Sequence, residues 1–155
     1  EIAAKVKELA AAVDADYEGE DLLLVGVLKG AMMIMADLSR ELKTPVEIDW
    51  MAVSSYGSGV TSSGVVRILK DLDISIEGRN VLIVEDVLDS GLTLRWLDRS
   101  LQARQPKSLR KPEAVRNEVD VAYVGFDIHN DVVVGYGMDQ GEKLRNLRSI
   151  AVLDV

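Results

Sequence analysis

Apolar residues recur at helical spacing from the start of the chain: Ile2, Val6, Leu9 and Val13 predict an amphipathic helix over residues 2–13, followed by a polar turn from Asp14 to Asp21. Leu22 to Leu28 is a continuous apolar run, the pattern of a central strand buried on both faces, and Lys29-Gly30 ends it. Ala31, Ile34, Met35, Leu38 and Leu42 mark a second helix stripe to about residue 42. Met32, Met33, Met35 and Met51 read as core filling rather than as an adaptable binding face. Pro45 opens a further strand, in which Val46, Ile48, Trp50 and Ala52 alternate with Glu47, Asp49 and Met51 up to Val53.

The pattern then breaks. Ser54 to Gly64 reads SSYGSGVTSSG, nine of eleven residues being Ser, Thr or Gly, too poor in apolar surface to pack. Regular structure resumes at Val65 to Lys70, so this stretch reads as a mobile lid inserted in one domain rather than a linker between two. After a polar turn, Asp71 to Asn80, comes VLIVEDVLDSGLTL, residues 81–94. Val81 to Val84 predicts a buried strand, and Leu94, Leu97 and Leu101 predict a helix to about Ala103. Pro106 ends the local order, and Val119 to Gly125, Val132 to Val134 and Ile150 to Leu153 read as further strands. Strands alternating with helices predict an α/β domain over residues 1–155, with a mostly parallel central sheet and helices on both faces.

One element is missing from this pattern. A parallel sheet needs a return strand of about five residues after the helix that ends near Ala103, but KSLRKPEAVRNEVD has only Leu109, Ala114, Val115 and Val119 apolar. Either about six residues of strand have been lost between Arg110 and Lys111, a gap costing more than a marginal stability of ~5–15 kcal/mol allows, or the sequence as written omits residues that the protein contains. The second explanation is favoured.

Composition changes the picture in three places. The 155 residues contain 48% hydrophobic and 28% charged side chains, ordinary for a globular domain, and no apolar run approaches the ~18–20 residues of a membrane span. The absence of cysteine excludes disulfides, thiolate metal sites and cysteine nucleophiles, and makes a cytoplasmic location the expectation. The single histidine, His129, excludes a histidine-cluster metal site. A net charge of −8 counts against a nucleic-acid surface and leaves a polyanionic substrate dependent on local cations, for which Lys29, Arg67, Lys70, Lys111 and Arg145 are candidates.

The chemistry concentrates at residues 81–94. Glu85, Asp86 and Asp89 crowd the end of a buried strand, where open α/β sheets bind their ligands. The following turn and helix start offer backbone amides and the Ser90 and Thr93 hydroxyls to a phosphate. Three acids cannot bind a phosphate themselves, so they imply hydroxyl groups, a metal ion or a transferable proton; a phosphorylated sugar with Mg²⁺ fits. Adjacent positions on a strand send Glu85 and Asp86 to opposite faces unless the strand has already bent, so only one is expected to enter the cleft easily. Asp89 also suits a helix cap. Leu28-Lys29-Gly30 repeats the strand-loop-helix logic on the same side of the sheet.

Residues 81–94 closely resemble the phosphoribosyl pyrophosphate motif of the type I phosphoribosyltransferases, in the form found in hypoxanthine-guanine phosphoribosyltransferases, and the similarity continues through nearly the whole chain. The resemblance implies Mg²⁺-dependent transfer of 5-phosphoribose to hypoxanthine or guanine, with a nucleotide-sensing regulator or a xanthine- or adenine-preferring relative as alternatives. It implies that Glu85 and Asp86 contact the ribose hydroxyls and serve the metal, that Asp89 is the general base toward purine N7, and that Ser90, Gly91, Leu92 and Thr93 hold the 5-phosphate. It further implies that Leu28, Lys29 and Gly30 bind pyrophosphate, the Leu28–Lys29 bond being cis in many relatives, and that Ser55 and Tyr56 belong to the closing lid. Lys111 matches the lysine that reads the purine 6-oxo group, Val132 and Val133 lie in the segment along the purine edge, Asp139 matches a Mg²⁺ ligand and Arg145 a pyrophosphate contact. Val132 stands where an aromatic stacks on the base in most of the family, so weak purine binding is expected. A homodimer or homotetramer acting on small molecules, with neither nucleic acid nor membrane as partner, completes the expectation.

Overall fold

The computed structural model describes residues 1–55, 66–88, 91–110, 122–128 and 131–153, with Ser55 and Leu92 described by their backbone. Its elements in chain order are α1 (Ile2–Asp16), β1 (Leu22–Leu28), α2 (Met32–Glu41), β2 (Val46–Ser55), β3 (Val66–Lys70), β4 (Asn80–Val84), α3 (Leu92–Gln102), β5 (Ser108–Arg110), β6 (Val133–Val134) and β7 (Ala151–Val152). Five strands form a sheet in the order β3-β2-β1-β4-β5; β6 and β7 pair separately. The β1–β2, β1–β4 and β4–β5 pairs are parallel and only the β2–β3 pair is antiparallel, so the mostly parallel sheet expected from the pattern is present.

The side-chain alternation of β1 divides the core. Leu22 and Leu24 pack with Val6, Ala10 and Val13 of α1 and Met35 and Leu38 of α2, while Leu23, Val25 and Val27 pack with Leu94, Leu97 and Leu101 of α3. Helices therefore cover both faces, which is why β1 and β4 are apolar at successive positions instead of alternating. Met35 and Met51 are buried as core filling requires, whereas Met32 is largely exposed. Among the described residues no helix is long and apolar enough to cross a membrane.

Three expectations change. The expected gap after α3 is filled only in part: β5, three residues where about five were expected, pairs in parallel with β4 through Asn80↔Ser108, Val81↔Leu109 and Leu82↔Arg110. A three-residue strand at a sheet edge draws its stability from one backbone ladder and from its ends. Ser108 Oγ donates to Asn80 Oδ1 at 2.9 Å, Asn80 in turn donates to Glu20 and the Asp21 carbonyl, and only Leu109 packs against the core. The Arg110–Lys111 junction itself lies outside the described residues. Ser54 and Ser55 belong to β2, paired with Arg67 and Val66, so the lid stretch begins later than composition suggested; its remainder, including Tyr56, lies outside the described residues. Ala122 to Gly125 form no strand.

Candidate active site

β1 and β4 run side by side and end at the same edge, bringing Lys29-Gly30 next to Glu85-Asp86. The Leu28–Lys29 peptide bond is cis. The contact at this edge is close: a Cβ built on Gly30 would lie 2.1 Å from Asp86 Oδ2. The β6-side turn closes the other side, where a Cβ on Gly137 would lie 2.0 Å from the Gly30 carbonyl oxygen. The Gly30 contact is with a carboxylate side chain and the Gly137 contact is with backbone, so Gly137 lets its turn close directly on the chain after β1.

Glu85 and Asp86 depart from the opposite-face expectation. β4 ends at Val84, so the pleat no longer governs the next two residues, and both side chains line one cavity of about 1070 Å³. Burial, then the hydrogen bond and negative charge of Asp86, push the Glu85 carboxyl up to about 9. Burial and the neighbouring Asp86 thus favour the protonated form of Glu85. Val132, Val133, Asp139 and Phe126 line the same cavity.

Lys29 and Arg145 converge through a carboxylate that the sequence reading did not single out. Glu142 accepts from Lys29 Nζ at 2.6 Å and from Arg145 Nη2 at 3.2 Å. Those contacts, Lys29 first, hold the Glu142 carboxyl below its ordinary value. Arg145 Nη2 also pairs with Asp139 Oδ1 at 2.8 Å, and its Nη1 donates to the Gly137 carbonyl at 2.8 Å. The other Asp139 oxygen accepts from the Glu142 amide at 2.8 Å. The only signal for Glu142 in the sequence was its place three residues before Arg145 and three after Asp139, which does not distinguish a loop charge from a bridge.

α3 starts at Leu92 with Gly91 as its N-cap, at φ 71°, so the cap position belongs to Gly91 and not to Asp89. Thr93 lies in the first turn, whose amides have no intrahelical partner. Of the remaining candidates, Asp89, Ser90 and Lys111 lie outside the described residues. Lys70 pairs with Asp73 at 3.2 Å and Asp49 at 3.7 Å and donates to the Trp50 carbonyl. Arg67 is exposed on β3. Phe126, the chain's only phenylalanine, went unnoticed in the sequence because a lone aromatic after an apolar run looks like core.

The Tyr136 hydroxyl donates to Asp37 Oδ2 at 2.6 Å and ties the Gly135–Asp139 turn to α2. That hydrogen bond, with Arg40 adding to it against burial, holds the Asp37 carboxyl below its ordinary value. A depressed folded-state pKa contributes stability above the unfolded value of about 4, which is lost as pH falls below it. The melting-temperature difference between wild type and Tyr136→Phe is therefore expected at neutral pH and should narrow below about pH 4, as thermal scans across that range would read.

The architecture defined so far is an open, mostly parallel α/β protein with a cavity at the carboxyl ends of its central strands. Residues 1–140 match the model of the phosphoribosyl transferase domain, and the chain belongs to that family. It is 55% identical to the hypoxanthine-guanine phosphoribosyltransferase of Mycobacterium tuberculosis, over 99% of this chain and 82% of that protein. The corresponding figures for the Streptococcus agalactiae enzyme are 48%, 99% and 88%. A crystal structure of a Bacillus anthracis hypoxanthine-guanine phosphoribosyltransferase with HEPES in its active site superposes with a TM-score of 0.91 at 43% identity, over 99% of this chain and 94% of that one. The sheet and its flanking helices are accordingly those of the type I phosphoribosyltransferase fold. The M. tuberculosis match spans 166 aligned positions, more than the 155 residues here, so that relative carries residues this chain lacks within the matched region.

Proposed function

We infer that this chain is a hypoxanthine-guanine phosphoribosyltransferase of purine salvage: it transfers 5-phosphoribose from phosphoribosyl pyrophosphate to hypoxanthine or guanine, releasing IMP or GMP and pyrophosphate. The observation that carries this is the 55% identity to an enzyme of that name across 99% of the chain. One phosphoribosyltransferase domain spans residues 1–155.

In this reading the bond from ribose C1 to pyrophosphate oxygen breaks as the bond from C1 to the purine nitrogen forms. Asp89 accepts the N7 proton as general base. Glu85 and Asp86 hold the ribose hydroxyls; Glu85, protonated, donates to one hydroxyl while Asp86 accepts from the other. Gly91, Leu92 and Thr93, with Ser90, offer amides and hydroxyls to the 5-phosphate at the start of α3. Leu28, Lys29, Gly30 and Arg145 meet the pyrophosphate, and Glu142 holds the two cations together until it arrives. Ser55 and Tyr56 belong to the lid, and Lys111 reads the 6-oxo group.

Among the described residues no group of three acidic or histidine side chains could enclose a metal. A Mg²⁺ that kept its waters would need only one or two protein carboxylates, and Asp139, half-buried in the cavity that Glu85 and Asp86 also line, would supply one once Arg145 turned from it to the pyrophosphate. When bound, the ion neutralises charge on the departing pyrophosphate. A cytoplasmic homodimer or homotetramer is the assembly that goes with this reading, and sedimentation of the purified protein checks it.

The decisive assay follows absorbance with phosphoribosyl pyrophosphate and Mg²⁺ against hypoxanthine, guanine, xanthine and adenine. Turnover of the first two supports the reading, and no nucleotide from any of the four overturns it. Gly91→Val is expected to abolish binding of the nucleotide product, since a β-branched residue cannot take up φ 71° in the buried position where the backbone must approach the phosphate. Wild-type affinity in a titration of that variant with IMP would refute the loop assignment. Val132, 53% exposed in the cavity, leaves the base without a stacking partner at that position. Val132→Phe should lower the purine KM, stacking being worth about 1–3 kcal/mol; an unchanged KM would mean that Phe126 already covers the base.

A further inference from the structure

Three side chains far apart in sequence meet at the carboxyl end of β5. Asp16, the last residue of α1, accepts hydrogen bonds at one oxygen from both Arg110 Nη1 and the Tyr123 hydroxyl, and Arg110 Nη1 also donates to the Tyr123 oxygen at 3.0 Å. The Arg110 guanidinium lies 5.3 Å from the centre of the Tyr17 ring, which backs the group on the core side. Tyr123 packs against the α1–α2 core near the start of Ala122–Ile128, a segment with neither helix nor strand.

A segment without a backbone ladder takes its position from its side chains. Past Tyr123 its residues line the cavity that holds Glu85, Asp86 and Val132. Phe126 is 46% exposed there and Val132 is 53% exposed, an apolar surface that the protein leaves uncovered. We propose that Asp16, Arg110 and Tyr123 form a clamp that positions the 122–128 wall of the cavity for the purine base, with Tyr123 as its positioning residue. The inference rests on the function proposed above, in which Val132 and Val133 border the base. The clamp touches neither Lys29, Arg145 nor the start of α3, so it should govern the base and leave phosphoribosyl pyrophosphate alone.

The test is steady-state kinetics of wild type, Tyr123→Phe and Asp16→Asn, with both substrates varied and melting temperatures recorded. Loss of one hydrogen bond should raise the purine KM by about 2- to 10-fold, with kcat within about twofold and the phosphoribosyl pyrophosphate KM unchanged, as for an interaction made equally in ground and transition states. Asp16→Asn, which perturbs the clamp from the helix side, should show the same split. A lowered melting temperature with both KM values unchanged, or both raised together, would reduce the cluster to a structural tie and overturn the proposal. A wild-type chain inactive on every purine would overturn the function and this inference with it, whereas active enzymes indistinguishable in purine KM overturn the inference alone.

Discussion

Asp89→Asn is expected to lower kcat by about 10²–10⁴-fold, the usual contribution of a positioned general base, while leaving the fold and the KM for phosphoribosyl pyrophosphate nearly unchanged. Asparagine keeps the size of the side chain and can still hydrogen-bond to the purine, but it cannot take up the N7 proton. The competing role, capping α3, is weakened because the N-cap of that helix is Gly91. Rapid-mixing kinetics with hypoxanthine would separate the chemical step from product release, and an unchanged chemical rate would remove Asp89 from the mechanism.

The second large effect is expected at Gly137. Its φ of 106° is closed to other residues, and a Cβ there would stand 2.0 Å from the Gly30 carbonyl oxygen. Because the obstacle is backbone, Gly137→Ala must move the Gly135–Asp139 turn away from the end of β1. The backbone conformation alone should cost about 1–3 kcal/mol, and a displacement near 1 Å at Asp139 and Arg145 costs about 10²-fold in kcat/KM. Gly141→Ala is the control, since Gly141 has φ 58° but nothing within 4 Å of a Cβ. It should lose stability by no more than about 1–2 kcal/mol and keep its kcat/KM. Equal kinetic losses in the two variants would assign the effect to φ rather than to the contact with Gly30.

The acid limb of stability and the two largest mutational effects draw on different levels of organisation. The role proposed for Asp89 rests on its chemistry, so it could be read from the local run of residues 81–94 once that run was matched to a family. Gly137 acts by what stands opposite it, and nothing in VVGYGMD names Gly30 as its neighbour. The same distinction runs through the rest of the molecule.

Local pattern alone determined most of the elements up to α3. β1 was legible to the residue, because six apolar residues and Gly26 run unbroken between Asp21 and Lys29, and α2 and α3 followed from their leucine and methionine stripes. Strands and helices in alternation then implied a parallel sheet covered on both faces. What sequence could not supply was the edge strand and the meeting of Glu85 and Asp86 in one cavity. β5 is held by its ladder to β4 and by Asn80, contacts between residues 28 apart, and therefore carries almost no apolar signal of its own. Glu85 and Asp86 share one cavity because the chain leaves the pleat of β4 after Val84, although its neighbour β1 continues two residues past the Gly26↔Val84 pair. The Lys29–Glu142–Arg145 bridge and the Asp16–Arg110–Tyr123 cluster join positions up to 113 residues apart. Residue type made those side chains candidates for ionic contact, but only chain folding decided which charges meet, since a pairing energy depends on distance in space and sequence specifies distance only along the chain.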